Sequence, residues 1–201
     1  TGIGIGMSLY KNPCVMMHQR LDFFLFAMDQ LVNNAAKWHY MFGGQMSVPL
    51  VIRLLIGQGW GQGPQHSKSF HSWFAHLPGI KVAMPATAFD AKGLLLESIF
   101  GEDPSIIIEH RSLFKLNDQV PIKPYRVRYG KAVIRKKGKD VTLVAIGCLV
   151  IDALKVAKIL EDEGISVEVI DPRTLTPLDR DTIRRSVLKT KRLVVLDPGW
   201  D

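Results

Sequence analysis

Apolar positions in the first half of the chain change rhythm several times. Phe24, Ala27, Met28, Leu31, Ala35 and Trp38 recur at helical spacing, which predicts a helix over roughly 23–41 ending near Gly43 and Gly44. Val48–Ile52 is a short apolar run and predicts a buried strand, with Pro49 near its start, where a missing donor is tolerated. Lys81–Met84 and Ile106–Glu109 predict two more strands. Between them Thr87 offers an N-cap with Asp90 three residues on, opening a helix that runs to about Phe100.

The pattern then pauses and restarts. Residues 115–126 carry Pro121 and Pro124 among polar residues and read as a linker. Beyond it, Arg128–Arg135 and Val141–Ile146 flank a Lys-Lys-Gly-Lys turn and predict a hairpin. A helix over about 149–163 sets Ala153, Val156, Ala157 and Leu160 on one face and stops at Gly164 in the C′ position. A strand at 166–170, a helix near 179–188 and a strand at 192–196 complete the run. Strand–helix alternation on both sides of the linker predicts an α/β protein of two parallel-sheet units, 1–114 and 128–201, joined by a basic, Pro-containing linker at 115–127. The chain enters apolar, Gly-rich sequence at once and stops just after a strand. Both units are therefore expected to be partial, truncated at the two ends.

Composition changes this picture little. Apolar residues make up 47% and charged residues 22%, as in ordinary globular proteins, and no apolar run approaches the roughly 20 residues of a membrane span. The start has no basic segment before its apolar part, so no signal peptide is visible. Cys14 and Cys148 lie far apart without a CxxC pair, which argues against a disulfide framework or thiolate zinc site and fits a reducing compartment. The net charge of +7 is local. Residues 115–140 hold nine Lys/Arg against two acids, the whole of the excess. Such a stretch can touch phosphates, but only Tyr125 and Tyr129 offer stacking surfaces and no nucleic-acid motif is present. A solvated linker and turn is the favoured reading; neither nucleic acid nor membrane is expected as a partner.

Two features carry candidate chemistry. Gly57, Gly59, Gly61 and Gly63 form a loop after a strand that matches neither the dinucleotide nor the P-loop spacing. It is either an approach of backbone amides to a ligand or simply a tightly turning loop. His66, His71 and His76 repeat every five residues, so on a helix each would be rotated about 140° from the last and they could not share a metal. His66 follows the loop directly, between Gln65 and Ser67. There it can meet a ligand and exchange protons near neutral pH, or it can merely cap and pack.

Residues 27–53, 57–99 and 102–114 strongly resemble the pyrimidine-binding domain of the beta subunit of thiamine-diphosphate-dependent 2-oxoacid dehydrogenases, the pyruvate, branched-chain and acetoin types. Residues 130–160 and 164–200 resemble the start of their transketolase-like C-terminal domain. The resemblance implies an alpha2beta2 assembly with thiamine diphosphate between the subunits. An alpha-type subunit holds the diphosphate and magnesium, and the beta-type subunit receives the aminopyrimidine. A 2-oxo acid is decarboxylated and its acyl group passes to a lipoyl-bearing acyltransferase. By family position Phe23 stacks on the aminopyrimidine, unless it is only a core aromatic at a helix start. His66 matches the active-site histidine facing the substrate and lipoyl channel. A structural potassium ion would fall at Leu50, Ser98, Ile99, Gly101 and Asp103, although an ordinary C-cap at Gly101 explains the same residues. The family's cofactor-activating glutamate lies just upstream of the segment matching Thr1–Gly6, so the chain alone is expected to be inactive, and also self-associating through uncovered apolar faces. The bacterial cytoplasm is the favoured compartment, ahead of the mitochondrial matrix. Another thiamine enzyme, of transketolase or deoxyxylulose-phosphate-synthase type, and a non-enzymatic α/β interaction module are the alternatives.

Overall fold

A computed structural model describes residues 1–10, 12–59 and 61–199, which form two sheets. The first contains β1 (Cys14–His18), β2 (Leu50–Ile56), β3 (Lys81–Ala83) and β4 (Ser105–His110), all parallel in the order β1-β2-β4-β3. Helices cover both faces of a parallel sheet, so its central strands are mostly apolar, with Arg53 and Glu109 among the exceptions. Leu50, Ile52, Leu54, Ile106 and Ile107 accordingly have no exposed surface. Helix α1 (Gly2–Leu9) and β1 lie outside the elements predicted above. Glycines at 2, 4 and 6 blur the helical pattern, yet they let α1 lie close: a Cβ at Gly4 would stand 3.2 Å from Leu50 Cδ1.

The helix predicted over 23–41 is not continuous. Helix α2 (Leu21–Phe24) passes into a 3₁₀ turn at Leu25–Ala27 and a π turn at Gln30–Ala35 before α3 (Trp38–Met41). The cause is burial. Leu31 and both Ala35 and Ala36 face the core, and one inserted residue, marked by the Ala36 N–H bonding the Leu31 carbonyl at 2.9 Å, brings the adjacent alanines there together. The turn containing Gly79 packs on this wide segment: φ is +95° and a Cβ would meet the Ala36 carbonyl oxygen at 2.0 Å.

Helix α4 (His71–Ala75) leads to β3, and α5 (Ala88–Ile99) follows with Thr87 capping it as predicted. Thr87 Oγ1 accepts from the Asp90 N–H at 3.1 Å. The linker is no free spacer. Val127 is buried against α5, its N–H donating to the Gly93 carbonyl at 3.1 Å, and a Cβ on Gly93 would stand 2.4 Å from Val127 Cγ2. Tyr125 stacks on Phe89 with centroids 4.4 Å apart.

The second sheet contains β5 (Val133–Lys136), β6 (Val141–Ala145), β7 (Val167–Asp171) and β9 (Leu193–Leu196) in the order β5-β7-β6-β9. The predicted hairpin does not form: β5 pairs antiparallel with β7, and β6 lies between β7 and β9, parallel to both. The Lys-Lys-Gly-Lys segment crosses the start of β7, where a Cβ on Gly138 would come within 2.2 Å of the Val167 backbone. Helix α6 (Leu149–Asp162) buries Val150, Ala153 and Ala157, while Val156, placed on the inner face above, is 44% exposed. Gly164 ends α6 at φ +81°, as predicted. Helix α7 (Arg180–Thr190), capped by Asp179, covers a buried polar belt. Thr142 Oγ1 meets Ser186 and Thr190 hydroxyls at 2.7 Å each, and Ser186 and Lys189 both donate to Glu168 at 2.5 Å.

The two units are knitted together. After β7 the chain adds β8 (Thr174–Thr176) antiparallel to β3, so the second unit supplies the edge of the first unit's sheet. Beside this crossing sit four charges. Arg135 donates to Asp171 at 2.7 Å and also to Asp90; Arg173 donates to Asp90 at 3.1 Å, and its own N–H bonds Asp171 at 2.8 Å. Both carboxylates are almost fully buried. Burial works against the Arg135 cation, but Asp171 and Asp90 outweigh it and raise its pKa.

Two outcomes are expected. Arg135→Met leaves two buried carboxylates facing Arg173 alone, and removing one member of such a set costs about 3–5 kcal/mol. Urea unfolding of the full-length protein should show the lower midpoint; an unshifted one would mean the cluster is screened by water. Burial pushes the Glu168 carboxyl up, but hydrogen bonds from Lys189 and Ser186 prevail and hold it below its ordinary value of 4.5. Its stabilisation is therefore present above pH 4.5 and lost as pH falls through the lower folded value. Glu168→Gln should flatten stability against pH in that acid window, and an unchanged profile would contradict the assignment.

Candidate active site

In a parallel α/β sheet, ligands meet the carboxyl ends of the strands, where loops rather than backbone ladders present side chains. Here β1 ends at His18 and turns through Arg20 into α2, which carries Phe23. Strand β2 ends at Ile56, and the glycine loop returns to a 3₁₀ turn at Pro64–His66. Strand β4 passes into a turn at Arg111–Lys115. These three ends enclose a cavity of about 590 Å³ whose lining includes Met17, Arg20, Phe23, Gln62, His66 and Arg111. It brings Phe23 and His66 together.

The sequence around Phe23 divides two aromatics between two tasks. Phe24 has no exposed surface and packs on Phe74 with centroids 5.8 Å apart, so it is the core aromatic of this helix. Phe23, one residue earlier and therefore rotated off that face, is 46% exposed at the cavity. His66 stands edge-on to it, centroids 5.2 Å apart and planes at 82°. The His66 Nδ1 atom is buried with no hydrogen-bond partner among the described residues. An open aromatic face and an unsatisfied imidazole nitrogen can hold a planar heterocycle and move a proton.

The surrounding polar groups fix this pair. Lys68 Nζ donates to Asp22 Oδ1 at 3.1 Å, tying the segment after His66 to the residue before Phe23. Arg20 Nε donates to Gln62 Oε1 at 2.8 Å and Nη1 to the Gln19 carbonyl at 2.6 Å. Nearby, Arg53 holds Glu109 through two bonds of 2.7 and 2.6 Å, and those bonds raise the guanidinium pKa against the effect of burial. None of Arg20, Gln62 or Arg111 was singled out by sequence. Arg20 lies three residues before Phe23, but only the fold brings Gln62 to it.

Other expected residues fall as follows. Gly59, Gly61 and Gly63 have φ of +78°, +67° and +67°, and a Cβ at any of them meets open space, so the loop's need for glycine is one of backbone conformation. Trp60 lies outside the described residues. His71 is buried in α4, its Nδ1 2.9 Å from Ser69 Oγ and its Nε2 2.8 Å from Asp197 Oδ1, just past β9. It thus ties the two units together. Beside it a second cavity of about 640 Å³ lies between Gly57, Ser69 and His110 of the first unit and Cys148, Lys155 and Asp197 of the second. Burial, then the Asp152 charge, pushes the Cys148 thiol up to about 11, which leaves it a poor nucleophile.

Among the described residues no group of three or more His, Cys, Asp or Glu is placed to hold a metal. Ser98, Ile99, Gly101 and Asp103 follow one another at the end of α5 and in the turn after it. Leu50 immediately precedes the Val51–Ser105 register pair, at the sheet edge where that turn enters β4. Asp103 meets Lys81 Nζ at 2.8 Å, and the Ser98 carbonyl accepts the Gly101 N–H at 3.2 Å. No helix among the described residues is long and apolar enough to cross a membrane.

Comparison with known proteins is consistent across the chain. Residues 1–116 match the pyrimidine-binding domain of transketolase and residues 130–201 its C-terminal domain. The chain is 46% identical, over 88% of its length and 52% of the relative's, to the beta subunit of an acetoin:2,6-dichlorophenolindophenol oxidoreductase from Cupriavidus necator. It is 44% identical, over its full length and 57% of the relative's, to the mitochondrial pyruvate dehydrogenase E1 component subunit beta of Pisum sativum. The chain therefore spans about half the length of the curated relatives it matches. Among solved structures, a split-gene transketolase in an inactive beta4 tetramer superposes with a TM-score of 0.80 at 26% identity, over 96% of this chain and 60% of that one.

Proposed function

The chain belongs to the transketolase pyrimidine-binding-domain family, and on that premise we propose that it is the beta-type subunit of a pyruvate-dehydrogenase-like 2-oxoacid dehydrogenase. The observation that carries this reading is the open face of Phe23 with His66 edge-on to it, at the carboxyl edge of the sheet. The residues present suit thiamine diphosphate. Phe23 offers a stacking surface for an aminopyrimidine, and the unsatisfied His66 Nδ1 marks a polar position in the same cavity. When bound, that cofactor supplies the carbon nucleophile and electron sink that decarboxylation of a 2-oxo acid requires.

This chain's own residues orient and exchange protons. Phe23 bears the pyrimidine ring; His66, fixed at the end of the glycine loop by its contact with Phe23, holds or moves a proton during acyl transfer to a lipoyl group. An alpha-type subunit holds the diphosphate and magnesium, in an alpha2beta2 assembly that serves a lipoyl-bearing acyltransferase. The apolar surface around α1 and α2 supports such an assembly, with Ile3, Tyr10, Phe26 and Tyr40 each more than four-fifths exposed. Potassium at Leu50, Ser98, Ile99, Gly101 and Asp103 is a structural element of the same proposal, at the sheet edge opposite the cavity. The compartment is the bacterial cytoplasm or the mitochondrial matrix; the free Cys14 and Cys148 fit either.

His66→Ala and Phe23→Ala test this in the full-length protein assembled with its alpha-type subunit. His66→Ala should slow lipoyl acylation by about 10²–10⁴-fold while thiamine diphosphate affinity is retained. Phe23→Ala should weaken that affinity by roughly 1 kcal/mol or more. Wild-type acylation by His66→Ala would make His66 a packing residue, and ketose formation in place of acyl-lipoyl would assign the chain to a transketolase-type reaction instead.

A further inference from the structure

Resting on that reading of the cavity, we infer that Arg20 captures the substrate's carboxylate, with Gln62 holding the guanidinium in place until the anion arrives. Four observations carry this. Arg20 lines the same cavity as Phe23 and His66, from the turn that leads into α2. Its acceptors are neutral: the Gln62 side-chain oxygen, reached by both Nε and Nη2, and the Gln19 carbonyl. Among the described residues no carboxylate pairs with it, whereas neighbouring Arg53 and Lys68 are matched by Glu109 and Asp22. Among the described residues no acidic side chain lines the cavity, which Arg111 also borders.

The chemistry follows from the geometry. A guanidinium fork matches a carboxylate with two parallel hydrogen bonds, and the anion adds an attraction between opposite charges that a neutral amide oxygen lacks. Replacing one amide oxygen by a carboxylate is therefore favourable, and Gln62 keeps the fork ordered beforehand. A carboxylate on Arg20 enters beside Phe23, where the cofactor's ring is placed. The carboxylate carbon is still attached in the transition state of decarboxylation, so the grip is held equally in the ground and transition states and ends only when carbon dioxide leaves. Arg20 is thus a residue of substrate capture, whose loss is read in KM rather than in kcat.

The test uses the assembled full-length enzyme, titrated with pyruvate and with 2-oxobutyrate. Arg20→Met should raise KM by roughly 10- to 100-fold, the equivalent of a lost hydrogen bond to a charged group. The value of kcat should stay within about 3-fold, as for an interaction held equally in the ground and transition states. Arg20→Lys, which keeps charge without the fork, should fall between. Gln62→Glu leaves the arginine intact but puts a carboxylate on it permanently, so KM should rise as in Arg20→Met; this variant also decides the matter should Arg20→Met fold poorly. Thiamine diphosphate affinity should be unchanged in all three. Wild-type KM in Arg20→Met and Gln62→Glu, with normal turnover, would overturn the capture role while leaving the proposed function standing. No turnover of any 2-oxo acid by the wild-type assembly would overturn the function and the capture role with it.

Discussion

Asp90 and Asp171 lose almost all contact with water on folding, and each would be costly to bury alone. Arg135 and Arg173 make their burial tolerable, and the four charges lie where the chain leaves β7, crosses to the first sheet and adds β8 beside β3. Asp90 opens α5, Arg135 sits on β5, and Asp171 and Arg173 flank the crossing, so one cluster fixes three elements from two units. His71, held between Ser69 and Asp197, makes a second tie. A buried ion set of this kind adds little net stability over an apolar one, but it rejects any arrangement that leaves a charge unmatched. We take it as the constraint that gives the units one relative placement.

From that placement the candidate site follows by ordinary packing. The apolar faces of β2 and β4 require cover on both sides, and α2 supplies part of it with Leu21 and Phe24. Once Phe24 is committed to the core, Phe23 is turned to the cavity and His66 meets its edge. Lys68 with Asp22 and Arg20 with Gln62 then span the gap between α2 and the loop after β2, so the two segments carrying the candidate residues are joined twice. The interaction of function with fold is thus local and polar, set on a rigid apolar sheet.

Much of this was legible in the sequence, and what was not has physical reasons. The strands at 50–56, 105–110, 141–145 and 167–171, and helices α5 and α6 with Thr87 and Gly164 at their ends, announce themselves by runs of buried residues and by caps. The π turn at Gln30–Ala35 is invisible to a period of 3.6, because it exists to bury Ala35 and Ala36 together. The hairpin read across Lys136–Lys139 failed because local turn chemistry says nothing about which distant strand offers a better partner, here β7. Helix α1 was hidden by its glycines. At the candidate site, His66 stood out by its place directly after the glycine loop and Phe23 only through family resemblance, while Arg20 was passed over because its partner Gln62 is 42 residues away.

The most direct measurement is a crystal structure of the full-length chain assembled with the proposed alpha-type subunit in the presence of thiamine diphosphate. The proposed function requires the aminopyrimidine against the open face of Phe23, His66 turned towards the reacting end, and the Asp90, Arg135, Asp171 and Arg173 cluster intact behind them. A cofactor ring seated away from Phe23, or a cavity filled by the partner subunit's own side chains, would contradict it.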